Sequence, residues 1–196
     1  MSRDLILKKI RSAKPDKMDL PVLNVHRFKT ESNVKETFAK NIESVGGKIC
    51  TVTSKSEVLM RIKTTFPDVK EVVSCVEGVD IGTVALDKKT SAKELEKLDL
   101  ALLEGQCGVA ENGAVWISDK NMFHRSIPFI TSHLVLILSQ EHLVENMHEA
   151  CERIAHCDDG YGVFISGPSK TADIEQSLVI GAQAALSLTV YIISNS

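Results

Sequence analysis

His133-Leu-Val-Leu-Ile-Leu138 runs apolar without a break after its opening histidine, and no polar alternation marks a solvent-facing side. Such a run reads as a strand covered on both faces, the kind found in parallel sheets clothed by helices. The sequence on either side supplies those helices. Towards the N-terminus, Val34, Phe38, Ile42 and Val45 advance by four, four and three and mark one helix face. Gly46-Gly47 gives a left-handed stop, and Lys48-Ile-Cys-Thr-Val-Thr53 follows as a strand. Ser54 or Ser56 can cap a second helix bearing Val58, Ile62 and Phe66, which Pro67 ends before a strand at Glu71-Val-Val-Ser-Cys75. Towards the C-terminus, Ser139 offers a cap for a helix carrying Leu143, Met147, Cys151 and Ile154 and ending near His156. Tyr161-Gly-Val-Phe-Ile-Ser166 predicts a strand, Ile174, Leu178, Ala182 and Ala185 a helix face, and Leu188-Thr-Val-Tyr-Ile-Ile193 a last strand. The alternation predicts an α/β fold: a layered, mainly parallel sheet with flanking helices.

Two stretches read differently. Between Val76 and Ile117 the period does not decide, since Leu100-Ala-Leu-Leu103 fits either element, although Val115-Trp-Ile117 reads as strand. At the N-terminus Ile6, Ile10 and Ala13 predict a short amphipathic helix, followed by a connector containing Pro15 and Pro21. The expected organisation is therefore an N-terminal helix and connector over 1–30 and an α/β domain over 31–196.

Composition narrows the function. With 196 residues, 43% of them apolar, the chain is long enough to bury a full core without disulfides or a metal staple. Lys and Arg number 23 against 26 Asp and Glu, and aromatic residues are 5%; neither a basic excess nor stacking platforms are available for nucleic acid. Cys50, Cys75, Cys107, Cys151 and Cys157 lie 25, 32, 44 and 6 positions apart. That spacing is wrong for a zinc ribbon or an iron–sulfur cluster, so no metal or cofactor is expected on this chain, and scattered thiols fit a reducing compartment. The first residues lack the apolar stretch of a signal peptide, and the longest apolar run, Leu134 to Leu138, is too short to span a bilayer. The expectation is a cytoplasmic protein with no membrane partner.

Three stretches could carry chemistry. In Ser166-Gly-Pro-Ser-Lys-Thr-Ala-Asp-Ile-Glu175, between a predicted strand and helix, Gly167 permits close backbone approach. Ser169, Lys170 and Thr171 would surround the N–H groups of a helix start and favour an anion. Asp173 and Glu175 oppose a dense charge there, so a small carboxylate or a metal suits the loop better than a phosphate; alternatively the two acids simply complement a helix dipole. In the second stretch, Asn112-Gly113 marks a turn and Glu111 before it is a candidate base or ligand, or else a solvated acid beside a hairpin. Cys107 nearby reads as a buried inert thiol. In the third, Arg125 is a natural fork for a carboxylate and His133 a candidate proton carrier, against solvated and structural alternatives.

The run Ile165-Ser-Gly-Pro-Ser-Lys-Thr-Ala-Asp-Ile-Glu175 resembles the C-terminal signature of the lactate utilization (LUD) domain family, in its protein C branch. The N-terminal helix, the helix entering Val45-Gly-Gly-Lys48, Val109-Ala-Glu-Asn-Gly113, and Pro128 with His133 are similar in the same order. The resemblance implies a fold like the ribose-5-phosphate isomerase and CoA-transferase group. It also implies a cluster-free subunit that supports oxidation of L-lactate to pyruvate with iron–sulfur companion proteins, or a non-catalytic small-carboxylate-binding or regulatory module on the same fold. Glu111 and Asp173 become the candidate catalytic carboxylates, expected to face one pocket. Gly167, Ser169, Lys170, Thr171, Glu175, Asn112, Gly113, Arg125 and His133 become candidate contacts for lactate or pyruvate. Two departures bear on substrate: Asn112 stands where the family usually has Thr, and Ala182-Gln-Ala-Ala-Leu186 where it commonly has His-Gly-Pro.

Overall fold

The computed structural model describes residues 2–19, 21, 24, 33–86, 90, 91, 93–157, 160–174, 177–181 and 184–194. Five strands form one all-parallel sheet: β1 (Lys48–Val52), β2 (Val72–Ser74), β3 (Leu100–Glu104), β6 (His133–Ser139) and β11 (Ser187–Ile193), in the order β1-β11-β6-β3-β2. The apolar run at 133–138 is the middle strand, and every residue from Leu134 to Leu138 is buried. Its side chains alternate between two cores, as a two-faced strand requires. Val135 and Ile137 pack with Leu100, Leu102 and Tyr191 under helix α3 (Lys55–Thr65), which contributes Val58 and Ile62. Leu134, Leu136 and Leu138 pack with Ala101, Leu103 and Val190 beneath helix α2 (Val34–Ser44), which contributes Phe38 and Ile42.

A second sheet, absent from the sequence reading, extends that same side. It consists of β7 (Leu143–Val144), β4 (Cys107–Val109), β5 (Ala114–Ser118) and β8 (Gly162–Ile165), with β5 antiparallel to both neighbours. Its strands alternate too. Val115 and Ile117 face the central core, while Ala114 and Trp116 face helix α5 (Met147–Ala155), the next helix after the single turn α4 (Ile127–Ile130). Gly105 is where the chain leaves β3 for this sheet, and a Cβ there would lie 2.5 Å from Val115 Cγ1. The N-terminal helix α1 (Arg3–Ser12) forms where its spacing predicts, but buries none of its residues. Among the described residues, no helix is long and apolar enough to cross a membrane.

Two predicted helices are corrected. The segment holding Ile174 and Leu178 is an antiparallel hairpin, β9 (Lys170–Ile174) and β10 (Ser177–Ile180), which pair with each other. Thr171, Ile174, Val179 and Ile180 are β-branched and favour extended backbone, and Gly181 at φ +77° ends the second strand. The helical spacing of Ile174, Leu178, Ala182 and Ala185 is a coincidence of composition. In the same way, Leu143 is not helical. Leu143–Val144 pairs with β4, and α5 starts only after Asn146, whose Oδ1 accepts from Glu149 N at 3.0 Å. Ser139 makes no capping bond.

Candidate functional site at the carboxyl edge of the parallel sheet

Ligands in open α/β sheets bind beyond the carboxyl ends of the strands, because there the loops fan out and leave a crevice. Here that edge holds a cavity of about 720 Å³ lined by Cys75 and Glu77 after β2, Glu104 at the end of β3, and Asp119, Lys120, Met122, Phe123 and Arg125 after β5. Lys55, the first residue of α3, reaches across its rim. Its Nζ donates to the Glu77 carbonyl at 2.8 Å and stands 3.6 Å from Glu104 Oε1.

The geometry of the roof follows from how β5 ends. Asp119 N donates to the Tyr161 carbonyl at 3.0 Å, which fixes the turn after β5 beside the segment that enters β8. The Arg125 guanidinium is thereby held twice. Its Nη2 and Nε donate to Asp119 Oδ2 at 2.6 and 3.1 Å, and its Cζ lies over the Tyr161 ring, 4.9 Å from the centroid. Arg125 stays 60% exposed, so the group is oriented yet open to a ligand. Next to it in the chain, His124 closes a local turn, its Nδ1 accepting from Ser126 N at 3.2 Å. Beneath the roof, burial pushes the Cys75 thiol pKa up, with a partial offset from the Phe123 backbone N–H that bonds to it. Cys75 is thus a protonated thiol at neutral pH, a small apolar surface rather than a nucleophile. Arg125 and Lys120 can receive an anion; Glu104 and Glu77 can accept a hydrogen bond from a ligand hydroxyl and repel a negative charge beside them.

Among the described residues, Arg125 is the one sequence-predicted residue that lines this cavity. Of the other candidates, Glu111, Asn112, Gly113 and His133 lie away from it in structural contacts, and Gly167, Ser169 and Lys170 line a second, smaller cavity. Glu111 Oε2 accepts from Met147 N at 2.9 Å, so this carboxylate sits at the N-terminus of α5, where the helix dipole favours it. Asn112 Oδ1 accepts from Ala114 N at 3.0 Å, and its carbonyl accepts from Ser166 Oγ at 2.8 Å, which joins two candidate loops 54 positions apart. Both loops then seat on α2. A Cβ on Gly113 would lie 2.8 Å from Ile42 N, and one on Gly167 2.6 Å from the Val45 carbonyl oxygen.

The loop 166–170 lies against the amino ends of β6 and β11, beside a cavity of about 300 Å³ lined by Phe129, Leu134, Pro168 and Leu188. Ser169 is held through its backbone, its N–H donating to the Ala185 carbonyl and its own carbonyl accepting from Gly181 N, both at 2.9 Å. Lys170 is exposed and Thr171 half-buried at the start of β9. Because a strand and not a helix follows, the helix-start argument for an anion at 169–171 lapses. Asp173 is in β9 with its side chain outside the described residues, and Glu175 lies outside them altogether. His133 opens β6 at the amino edge, its Nδ1 2.8 Å from Ser187 Oγ and its ring 5.2 Å from that of Phe66.

Sequence reasoning missed Glu104, Glu77, Lys55 and Asp119. One signal was present: Glu104 is a charged residue directly after the apolar Leu100–Leu103, which marks the exposed end of a buried strand once that run is read as one.

A family model described as the LUD domain matches residues 80–193, more than half of the chain and most of the cavity lining. Similar curated proteins are each called lactate utilization protein C. That of Shouchella clausii is 33% identical over 106 residues, covering 51% of this chain and 46% of the relative. That of Oceanobacillus iheyensis is 30% identical over 105 residues, covering 50% and 45%. That of Bacillus subtilis is 25% identical over 126 residues, covering 61% and 52%. The matched stretch is thus about half the length of each relative. Among solved structures, a DUF162 family protein from Deinococcus radiodurans superposes with a TM-score of 0.63 at 16% identity, over 82% of this chain and 96% of that one, a likeness of fold.

Proposed function

Because the chain belongs to the LUD domain family, we propose that it is a carboxylate-binding subunit of a lactate utilization system. In this reading it supports oxidation of L-lactate to pyruvate together with companion proteins that carry iron–sulfur clusters. The observation that carries the reading is Arg125, clamped by Asp119 and Tyr161 over a cavity at the carboxyl edge of the sheet. A pre-oriented guanidinium loses little freedom on meeting a carboxylate and offers it two parallel N–H donors. The scattered spacing of the five cysteines supports placing the clusters on other subunits.

A second reading, a non-catalytic small-carboxylate-binding or regulatory module, draws support from Cys75, whose half-buried thiol, its pKa raised, offers no activated nucleophile at the cavity. One experiment separates the two. The chain is co-expressed with the iron–sulfur companion proteins, purified without oxygen, and assayed for lactate-dependent pyruvate formation. The subunit reading expects co-purification, a rate that requires this chain, and a loss of about tenfold or more in Arg125→Ala, the scale of a charge-assisted pair. A full rate without this chain, or one indifferent to Arg125→Ala, contradicts it. Carboxylate binding with an unchanged rate on omission supports the module.

A further inference from the structure

We infer that the carboxyl-edge cavity accepts 2-hydroxy monocarboxylates whose side chain is larger and more apolar than that of lactate, such as 3-phenyllactate. The inference rests on the reading that Arg125 receives the carboxylate, and it names the class of acid.

Size is the first argument. The cavity, about 720 Å³, lies within the roughly 300–1,000 Å³ of pockets that enclose drug-sized ligands, whereas lactate has three carbons. A lactate held at Arg125 would leave most of the space to water. Lining chemistry is the second. Cys75, Met122 and Phe123 give the lining an apolar part, Cys75 and Phe123 touch through a backbone hydrogen bond, and Phe123 is 54% exposed. The neighbouring apolar side chains Met122 and Ile127 are buried, so this ring is turned outward from a segment that could otherwise have packed it. The protonated Cys75 thiol, tied to Phe123 through its backbone N–H, keeps this part of the lining uncharged and in place. Charge is the third argument. Glu77 and Glu104 both line the cavity, with Lys55 3.6 Å from Glu104, so a second carboxylate on the ligand would be repelled on their side of it, away from Lys120. The side chain that fits is therefore neutral and apolar. The ligand hydroxyl meets an acceptor in Glu104.

Isothermal titration of L-lactate, L-3-phenyllactate and L-malate into the full chain, and into Phe123→Ala, Phe123→Leu and Arg125→Ala, tests this. Phenyllactate should bind about tenfold tighter than lactate, as burial of one ring against the wall implies, and malate most weakly. Phe123→Ala should cost phenyllactate at least about fivefold more than it costs lactate, Phe123→Leu should recover part of that loss, and Arg125→Ala should weaken both acids. Lactate binding as tightly as phenyllactate while still depending on Arg125, or malate binding tightest, overturns the inference and leaves the carboxylate reading standing. No binding of any of the three acids removes that reading and the inference with it.

Discussion

Replacing Gly113 with alanine isolates the claim that the Glu111-Asn112-Gly113 turn is a structural seam. The residue has φ +66°, a region that costs an L-residue roughly 1–2 kcal/mol. Its added Cβ would also stand 2.8 Å from Ile42 N and 3.0 Å from the Asn41 carbonyl carbon. Both are helix backbone, which cannot rotate away, so α2 must move or the turn must lift. Lifting would strain the bonds from Asn41 Nδ2 to the carbonyls of Ala110 and Glu111, at 2.6 and 3.1 Å. Overpacking of that kind costs roughly 1–3 kcal/mol, and the lower entropy of an unfolded alanine returns up to about 1. The net loss is about 2–4 kcal/mol, a large share of the roughly 5–15 kcal/mol that holds a typical domain. Urea unfolding followed by far-UV circular dichroism should show the midpoint falling by about 1–2 M at unchanged slope. Gly160→Ala is the control, since its nearest neighbours are the side-chain ends Arg125 Nη2 at 3.6 Å and Asp119 Oδ2 at 3.7 Å. A Gly113→Ala midpoint indistinguishable from wild type would refute the packing argument.

Two further predictions concern single groups. The N–H groups of Glu71 and Lys70 hold the Asp99 carboxylate below its ordinary value of 3.8. A carboxylate whose folded pKa is depressed contributes stability that is present above the unfolded value and lost as pH falls through the folded one. Thermal unfolding should therefore show wild type losing stability below about pH 4 more steeply than Asp99→Asn; parallel curves would contradict this. Alkylation by iodoacetamide at pH 8, read by mass spectrometry, should label the exposed Cys151 and Cys157 first, Cys75 slowly because burial raises its pKa, and the buried Cys107 only on unfolding. Early labelling of Cys75 would contradict its protonated state.

What was legible in the sequence was whatever a single period decides. The apolar run at 133–138 identified a covered strand, and Val34, Phe38 and Ile42 a helix face, because each pattern reports one buried surface. Ser54 likewise was a sound cap, its Oγ accepting from Glu57 N at 3.2 Å. Short elements failed because they are held by tertiary pairing. The strand Leu143–Val144 exists only through β4, and a hairpin at 170–180 satisfies the same apolar spacing as a helix. The site suffered more. Gly113 and Gly167 are strict requirements of close packing on α2, and a strict requirement looks like a functional motif when only sequence is seen. Arg125 was found by its chemistry, but Glu77, Glu104 and Asp119 come to line the same cavity only through the order of strands in two sheets.

A carboxylate bound by this chain is expected at Arg125, beyond the carboxyl ends of β2 and β3, and not at the loop 166–170. Titrating L-lactate into isotope-labelled protein and following backbone amide and Arg Nε chemical shifts measures the location directly. Saturable shifts should concentrate at Arg125 Nε and the amides of residues 75–77, 104 and 119–125, and should vanish in Arg125→Ala. Shifts confined to residues 166–171, with Arg125 silent, would contradict the account.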